Sequence, residues 1–203
     1  MTEIVREGYD EIADAFADWR DRIENDPRNE WRDDLAARLP DGARVLELGC
    51  GNGVDSRLLA ERFRVTGVDV SGEQVARARV AVPDATFLQA DFTELELPAA
   101  SFEAVASFYV FNHVPRERLA PLLERIREWL VPGGLLLTAF GTSDTDGWVG
   151  DWLGTTMFFS SFPPETNSLQ LRRAGFRLLR EEVIELHEPE GLAQFQWVLA
   201  AST

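Results

Sequence analysis

Residues 45–56, VLELGCGNGVDS, set an apolar run against three alternate glycines, Gly49, Gly51 and Gly53, and a second apolar run over 65–70 carries Asp69. The first run reads as a buried parallel strand, the glycines as the tight turn after it, and Asp55 onward as the first turn of a helix. Glycine suits the turn because the backbone must bend sharply and admit a ligand with no Cβ in the way. Strand, turn and helix N-terminus together make a grip for a nucleotide cofactor. The spacing separates cofactors: a dinucleotide fingerprint, G-x-G-x-x-G, needs glycine at position 54, which is Val54. That argues against NAD and against an oxidoreductase built on it.

Working outward, Ile4, Tyr9, Ile12, Ala13, Phe16, Trp19 and Ile23 recur at helical spacing, so an amphipathic helix opens the chain and Pro27 ends it; Trp31, Leu35 and Leu39 mark a second. Strand and helix then alternate: strand 43–48, helix 54–63, strand 64–69, helix 72–81, strand 85–89 and strand Phe102–Phe108. Pro115 opens a helix with one apolar face, Val131-Pro132-Gly133-Gly134 stops it, and Leu135–Ala139 is the fifth strand. Helix 163–174, a strand Phe176–His187, a turn at 188–191 and a final strand Gln194–Ala201 follow. Alternation implies parallel strands with helices on both faces, and the short last turn implies that the final strand runs antiparallel.

The E-L-G-x-G-x-G run, Asp69, Gln89-Ala90-Asp91-Phe92, the segment Phe102–His113 and the L-x-P-G-G sequence before the fifth strand resemble the class I S-adenosylmethionine-dependent methyltransferases, in their small-molecule, type 11/25-like branch. The resemblance spans about Tyr9–Ala201. It implies one α/β domain over residues 1–203, Rossmann-like, with a seven-stranded sheet ordered 3-2-1-4-5-7-6 whose last strand is antiparallel. It further implies S-adenosyl-L-methionine as cofactor and S-adenosyl-L-homocysteine as product. Asp69 would accept from the ribose diol, Asp91 from the adenine amine between Val70 and Phe92, and Glu47 would meet the cofactor's ammonium. Gly49, Cys50, Gly51, Gly53, Ala90, Ser107 and Phe108 would line the rest of that site. Tyr9, in the helices of residues 1–40 that cover the cofactor, would reach its methionine end or pack the helix on the sheet, and Arg20 in the same helices is a lesser candidate for the site.

Composition narrows the chemistry. The 203 residues carry 20 basic and 35 acidic side chains, a net charge of −15, and every basic residue is arginine. With no lysine there is no Schiff-base chemistry and no P-loop lysine. The acidic balance, without a basic stripe, argues against a nucleic-acid partner and fits a soluble, self-repelling surface or a salt-adapted source. Cys50, the single cysteine, excludes an internal disulfide and suits a reducing, cytoplasmic setting; its place in the glycine loop calls for a small residue rather than a nucleophile. No metal-ligand spacing, targeting leader or membrane-spanning run is apparent, and a monomer or homodimer is expected.

The acceptor side rests on fewer signals. His113, just past the fourth strand, reads as a substrate-facing base or as a residue that contacts cofactor or caps the next helix with Asn112. His187 ends the sixth strand beside Glu185 and Glu188, at the rim of the same pocket. The segment 141–164 is long and aromatic, and reads as a lid whose Trp148, Trp152, Met157, Phe158, Phe159 and Phe162 wall a substrate pocket, or as a local cluster or dimer contact. The expectation is methyl transfer to a small neutral or cationic molecule by in-line displacement. The alternatives are an aminopropyl-type transferase and a cofactor-binding partner subunit without catalysis.

Overall fold

The computed structural model describes residues 1–203. Five parallel strands form the centre of the sheet: β1 (Arg44–Leu48), β2 (Arg64–Asp69), β3 (Thr86–Gln89), β4 (Phe102–Ser107) and β5 (Leu130–Gly141). The segment expected as a lid forms a separate two-stranded ribbon, β6 (Thr145–Trp152) and β7 (Thr155–Ser161). β8 (Phe176–Glu188) and β9 (Gly191–Ser202) return to the sheet, which has seven strands in the order β3-β2-β1-β4-β5-β9-β8. With the ribbon left out of the count this is the expected order, and β9 lies antiparallel to both neighbours.

Strand period two divides the core between two faces. Leu46, Val105 and Leu136 point to one side, under α6 (Arg116–Trp129) and α7 (Pro164–Arg173); Val45, Ala104 and Leu137 point to the other, under α3 (Arg28–Ala36) and α4 (Val54–Ala60). On the first face α6 buries Leu122, Leu123 and Ile126 completely; truncating such a leucine to alanine costs about 2–5 kcal/mol. On the second, Trp31 stacks on Trp197 with ring centroids 5.6 Å apart. α5 (Gly72–Ala81) packs Val75 and Ala78 against Cys50 and Phe87. No helix is long and apolar enough to cross a membrane.

Three local expectations are corrected. The opening helix is broken at Ile12, whose φ of −97° and ψ of 15° leave the helical range, giving α1 (Thr2–Glu11) and α2 (Ala13–Arg20). Val5 and Ile12 pack on Met157 and Phe158 of the ribbon, while Phe16 and Trp19 turn toward the cavity described below; one straight helix would not serve both. Helix α6 ends at Trp129 as expected, yet residues 131–134 are not a free turn: they bulge out of β5 between the pairs Phe102↔Leu130 and Ala104↔Leu135. The segment 141–164 closes through Leu153 and Gly154, both at positive φ, the geometry of a two-residue hairpin turn whose twist matches its strands.

The turn after β1 is sterically exacting. Gly49 has φ +70°, and a Cβ there would fall 2.2 Å from Val110 Cγ2. Gly133 has a similar φ of +76° but open space around it. Gly133→Ala carries only the left-handed backbone cost, about 1–2 kcal/mol. Gly49→Ala adds overpacking, for a total of about 2–5 kcal/mol. Urea unfolding of the two variants is expected to show Gly49→Ala less stable by at least about 1 kcal/mol.

Candidate functional site

Strand order reverses between β1 and β4, and at their carboxyl ends opens a cavity of about 500 Å³. Gly49, Cys50, Gly51, Asp69 and Val70 line its sheet side. Gly51 N–H donates to Asp69 Oδ2 at 2.8 Å and Ser71 N–H to Oδ1 at 2.9 Å, so the carboxylate at the end of β2 is clamped by backbone. Burial raises its pKa, while these backbone donors pull the other way. Ser71 caps α5 by accepting from Gln74 N–H at 3.1 Å and donates to Asp10 Oδ1 at 2.6 Å, tying α1 to the same corner.

The adenine-side expectation has a partner not foreseen. Asp91 Oδ1 accepts from Thr93 N–H at 2.8 Å and from the Thr93 hydroxyl at 2.7 Å, and Oδ2 accepts from the Thr2 hydroxyl at 2.8 Å. Asp91, Phe92 and Phe108 do line the cavity. Three neighbours do not. Gly53 faces α5, where a Cβ would sit 3.0 Å from Ala78 Cα; Ala90 packs beside the core; Ser107 is buried at the end of β4 between Leu48 of β1 and Thr138 of β5.

Behind the glycine loop lies a charged cluster. The Ser56 hydroxyl donates to buried Glu47, whose pKa is driven well up by burial and then by Asp55. Asp55 accepts from Arg28 at 3.0 Å and Arg32 at 2.8 Å, and Arg28 also pairs with Asp26 at 2.6 Å. Tyr109, at φ +61°, donates to Asp26 at 2.9 Å and lies under the Arg28 guanidinium. A bulky residue in the left-handed region marks a site where surrounding contacts impose the backbone. Burial pushes the Cys50 thiol up, out of nucleophile range.

Opposite the sheet, Tyr9 and His113 meet. His113 Nδ1 donates to the Phe158 carbonyl at 2.8 Å, which fixes the tautomer and leaves Nε2 to accept from the Tyr9 hydroxyl at 2.9 Å. Burial lowers the His113 pKa to about 4. An unfolded histidine takes up its proton near 6.5, so the stability carried by the neutral imidazole is full above that pH and is lost as pH falls toward about 4.

The ribbon contributes to the cavity differently from the expectation. Trp152 and Phe159 line it, whereas Met157 and Phe158 are buried beneath α1, Phe162 lies outside it under the Arg116 guanidinium, and Trp148 stands 46% exposed. His187 is exposed and outside the cavity; only its backbone engages, pairing with Glu24. The wall expected from His187 is instead made by the ends of β8 and β9, through Leu186, Glu188, Leu192 and Phe195.

Gln74, Arg28 and Glu188 line the cavity without having been expected in the site, and Arg20, a lesser candidate from the opening helices, joins them there. The Gln74 carboxamide is 1% exposed at the glycine loop, with neither its oxygen nor its nitrogen bonded to protein. A glutamine among the inward positions of α5 was the available signal. Arg28 is the centre of the ion cluster above. Arg20 and Glu188 line the cavity without a salt bridge or side-chain hydrogen bond, unlike its other charged residues, Arg28, Glu47, Asp55, Asp69 and Asp91. Burial lowers the Arg20 pKa, with neighbouring Arg28 adding to it. Nothing in the local sequence separates Glu188 from ordinary surface charge.

Residues 45–134 match the family described as a methyltransferase domain. A trans-aconitate 2-methyltransferase of Azoarcus sp. (strain BH72) is 40% identical over 116 residues, covering 55% of this chain and 45% of that protein. The chain spans about half the length of curated relatives it matches. Among solved structures, an S-adenosylmethionine-dependent methyltransferase from Methanosarcina mazei superposes with a TM-score of 0.74 at 17% identity, covering 83% of this chain and 96% of that one. The Burkholderia thailandensis 1,6-didemethyltoxoflavin-N1-methyltransferase, solved with 1,6-didemethyltoxoflavin and S-adenosylhomocysteine, superposes with a TM-score of 0.66 at 22% identity, covering 97% and 89%. The fold is therefore that of the class I methyltransferases. Within that fold, residues 45–134 carry the segment that matches the methyltransferase-domain family.

Glu188 offers a pH test of the site. Burial, with Glu190 adding to it, raises its pKa from 4.5 to about 7. The folded chain thus holds this proton more tightly than the unfolded one, so the associated stability is present at low pH and lost as pH rises through about 7. Glu188→Gln is expected to raise the melting temperature relative to the parent at pH 8 and to leave it nearly unchanged at about pH 4.5, read by thermal unfolding across pH.

Proposed function

We propose that this chain transfers a methyl group from S-adenosyl-L-methionine to a small-molecule acceptor, releasing S-adenosyl-L-homocysteine. The observation that carries the reading is the backbone-clamped Asp69 carboxylate beside the unpartnered Gln74 carboxamide, at the glycine loop of a cavity of about 500 Å³. A clamped carboxylate suits a vicinal diol, since both its oxygens keep lone pairs free and charge-assisted bonds to hydroxyls are strong. The orphaned carboxamide is a buried donor and acceptor pair that a polar ligand would satisfy. The residues present therefore fit the cofactor.

Asp69 and Gln74 would hold the ribose, Asp91 with Val70 and Phe92 the adenine, and the loop Gly49–Gly51 the amino-acid tail. Arg20 supplies the unpaired cation for the tail's carboxylate; it lies close enough to Glu47 and Asp55 to influence, or be influenced by, their charge. Thr2 already donates to Asp91, so α1 closes over the adenine end. The cofactor supplies an electrophilic methyl group on a sulfonium. The chain's part is to position and to exclude water: placing two reactants in near-attack geometry contributes roughly 7–11 kcal/mol. Tyr9, its proton directed to His113 Nε2, presents only lone pairs to the cavity and so can accept a hydrogen bond from an acceptor's N–H or O–H. Trp152 and Phe159 shield that end.

Thermal melting distinguishes this reading from its rivals. S-adenosylhomocysteine at about 100 times its Kd stabilises by about 2.7 kcal/mol, a rise of roughly 5–10 °C for a chain of this size. NAD is expected to give no rise. Asp69→Asn is expected to weaken S-adenosylhomocysteine at least about tenfold. Arg20→Gln is expected to weaken S-adenosylhomocysteine similarly while leaving 5′-methylthioadenosine, which lacks the carboxylate, unaffected. Turnover with an acceptor panel then tests the transfer itself.

A further inference from the structure

The acceptor end of the cavity has a chemical character of its own. Phe16, Trp19 and Trp152 form one aromatic wall: Phe16 and Trp19 stack at 6.1 Å, and Trp152 meets Trp19 edge-on at 5.3 Å. Trp19 Nε1–H donates to Glu190 Oε2 at 2.6 Å, which anchors the indole at the β8–β9 turn. Glu188, the last residue of β8 beside that turn, lines the cavity with no cation or side-chain hydrogen-bond donor from the protein. The hydroxyls at that mouth are engaged among themselves or with backbone: Thr142 donates to the Gln194 carbonyl, and Ser143 bonds to Ser161.

We propose that the acceptor carries a cationic nitrogen, held by the Glu188 carboxylate against the aromatic wall of Trp19, Trp152 and Phe16. This rests on reading the cavity as a methyl-transfer site and names the substrate class it takes. Two independent features favour a cation. Aromatic faces attract a cation by their quadrupole, most strongly when it is desolvated. A half-buried carboxylate without a counter-charge gains one on binding, whereas an anion would meet it with repulsion. Burial, with Glu190 adding to it, raises the Glu188 pKa, and a bound cation would pull it back down. The cavity's other free charge, Arg20, is within electrostatic reach of Asp55 and Glu47 by the glycine loop.

The experiment compares three probes of similar shape by tryptophan fluorescence and calorimetry, with and without saturating S-adenosylhomocysteine: choline, its neutral isostere 3,3-dimethylbutan-1-ol and the anion 3,3-dimethylbutyrate. Choline is expected to bind at least about tenfold more tightly than the isostere, and the anion not at all. Glu188→Gln is expected to lower choline affinity about tenfold without changing the melting shift given by S-adenosylhomocysteine, and Trp19→Leu is expected to weaken choline by a comparable factor. Equal binding of choline and the alcohol, tighter binding of the anion, no choline binding, or an unchanged affinity in Glu188→Gln would overturn the proposal. If choline binds through Glu188 but S-adenosylhomocysteine gives no melting shift, the cation site stands and the methyl-transfer reading falls.

Discussion

The clamp on Asp69 is the interaction on which the rest of the site depends. A carboxylate buried at the end of β2 is costly unless donors meet it. Two backbone N–H groups do, one from the glycine loop and one from the start of α5, so the same bonds that make the charge tolerable fix the loop, the strand end and the helix start relative to one another. Gly51 presents its N–H in this way at a φ of +51°, and Gly49 lets Val110 close on the turn. The parallel sheet delivers β1, β2 and β4 side by side, and the clamp turns their ends into a rigid cradle.

Around that cradle the chain leaves chosen polar groups without partners. Most buried polar atoms in a folded protein are bonded, so those that are not carry information. Some here, such as the indole nitrogens of Trp31 and Trp197, lie in the core away from the cavity. Gln74, Arg20 and Glu188 instead face one cavity from different elements, and together they offer an amide, a cation and an anion. The proposed assignment distributes them between a cofactor's sugar, its tail and the acceptor.

The fold was legible because it is written in short-range patterns. Apolar runs of strand length, glycines after β1 and a proline before α6 specify the parallel sheet, and the boundaries of β2 and α5 were read as they stand. The sheet-side residues of the site were equally legible, since Gly49, Gly51, Asp69 and Asp91 sit where strands end. What the sequence hid depends on tertiary contact. The break at Ile12 follows from two packing partners on different elements, the ribbon and the cavity. Met157 and Phe158 look like pocket aromatics by composition but are the seat of α1, and His187 looks like a rim ligand although only its backbone is used. Glu188, and the unpaired state of Arg20, become informative only once their neighbours are known to be paired.

The Tyr9–His113–Phe158 chain of hydrogen bonds joins three elements that share no covalent continuity: α1, the short 3₁₀ turn after β4, and β7. With Thr2 on Asp91 and Asp10 on Ser71, it stitches the first helix across the chamber by a handful of polar contacts, most of its remaining hold being apolar packing on the ribbon. The roof over the cavity is thus fastened through side chains, whereas the cradle beneath it is fastened through backbone N–H groups, so a single substitution can loosen the one and leave the other intact.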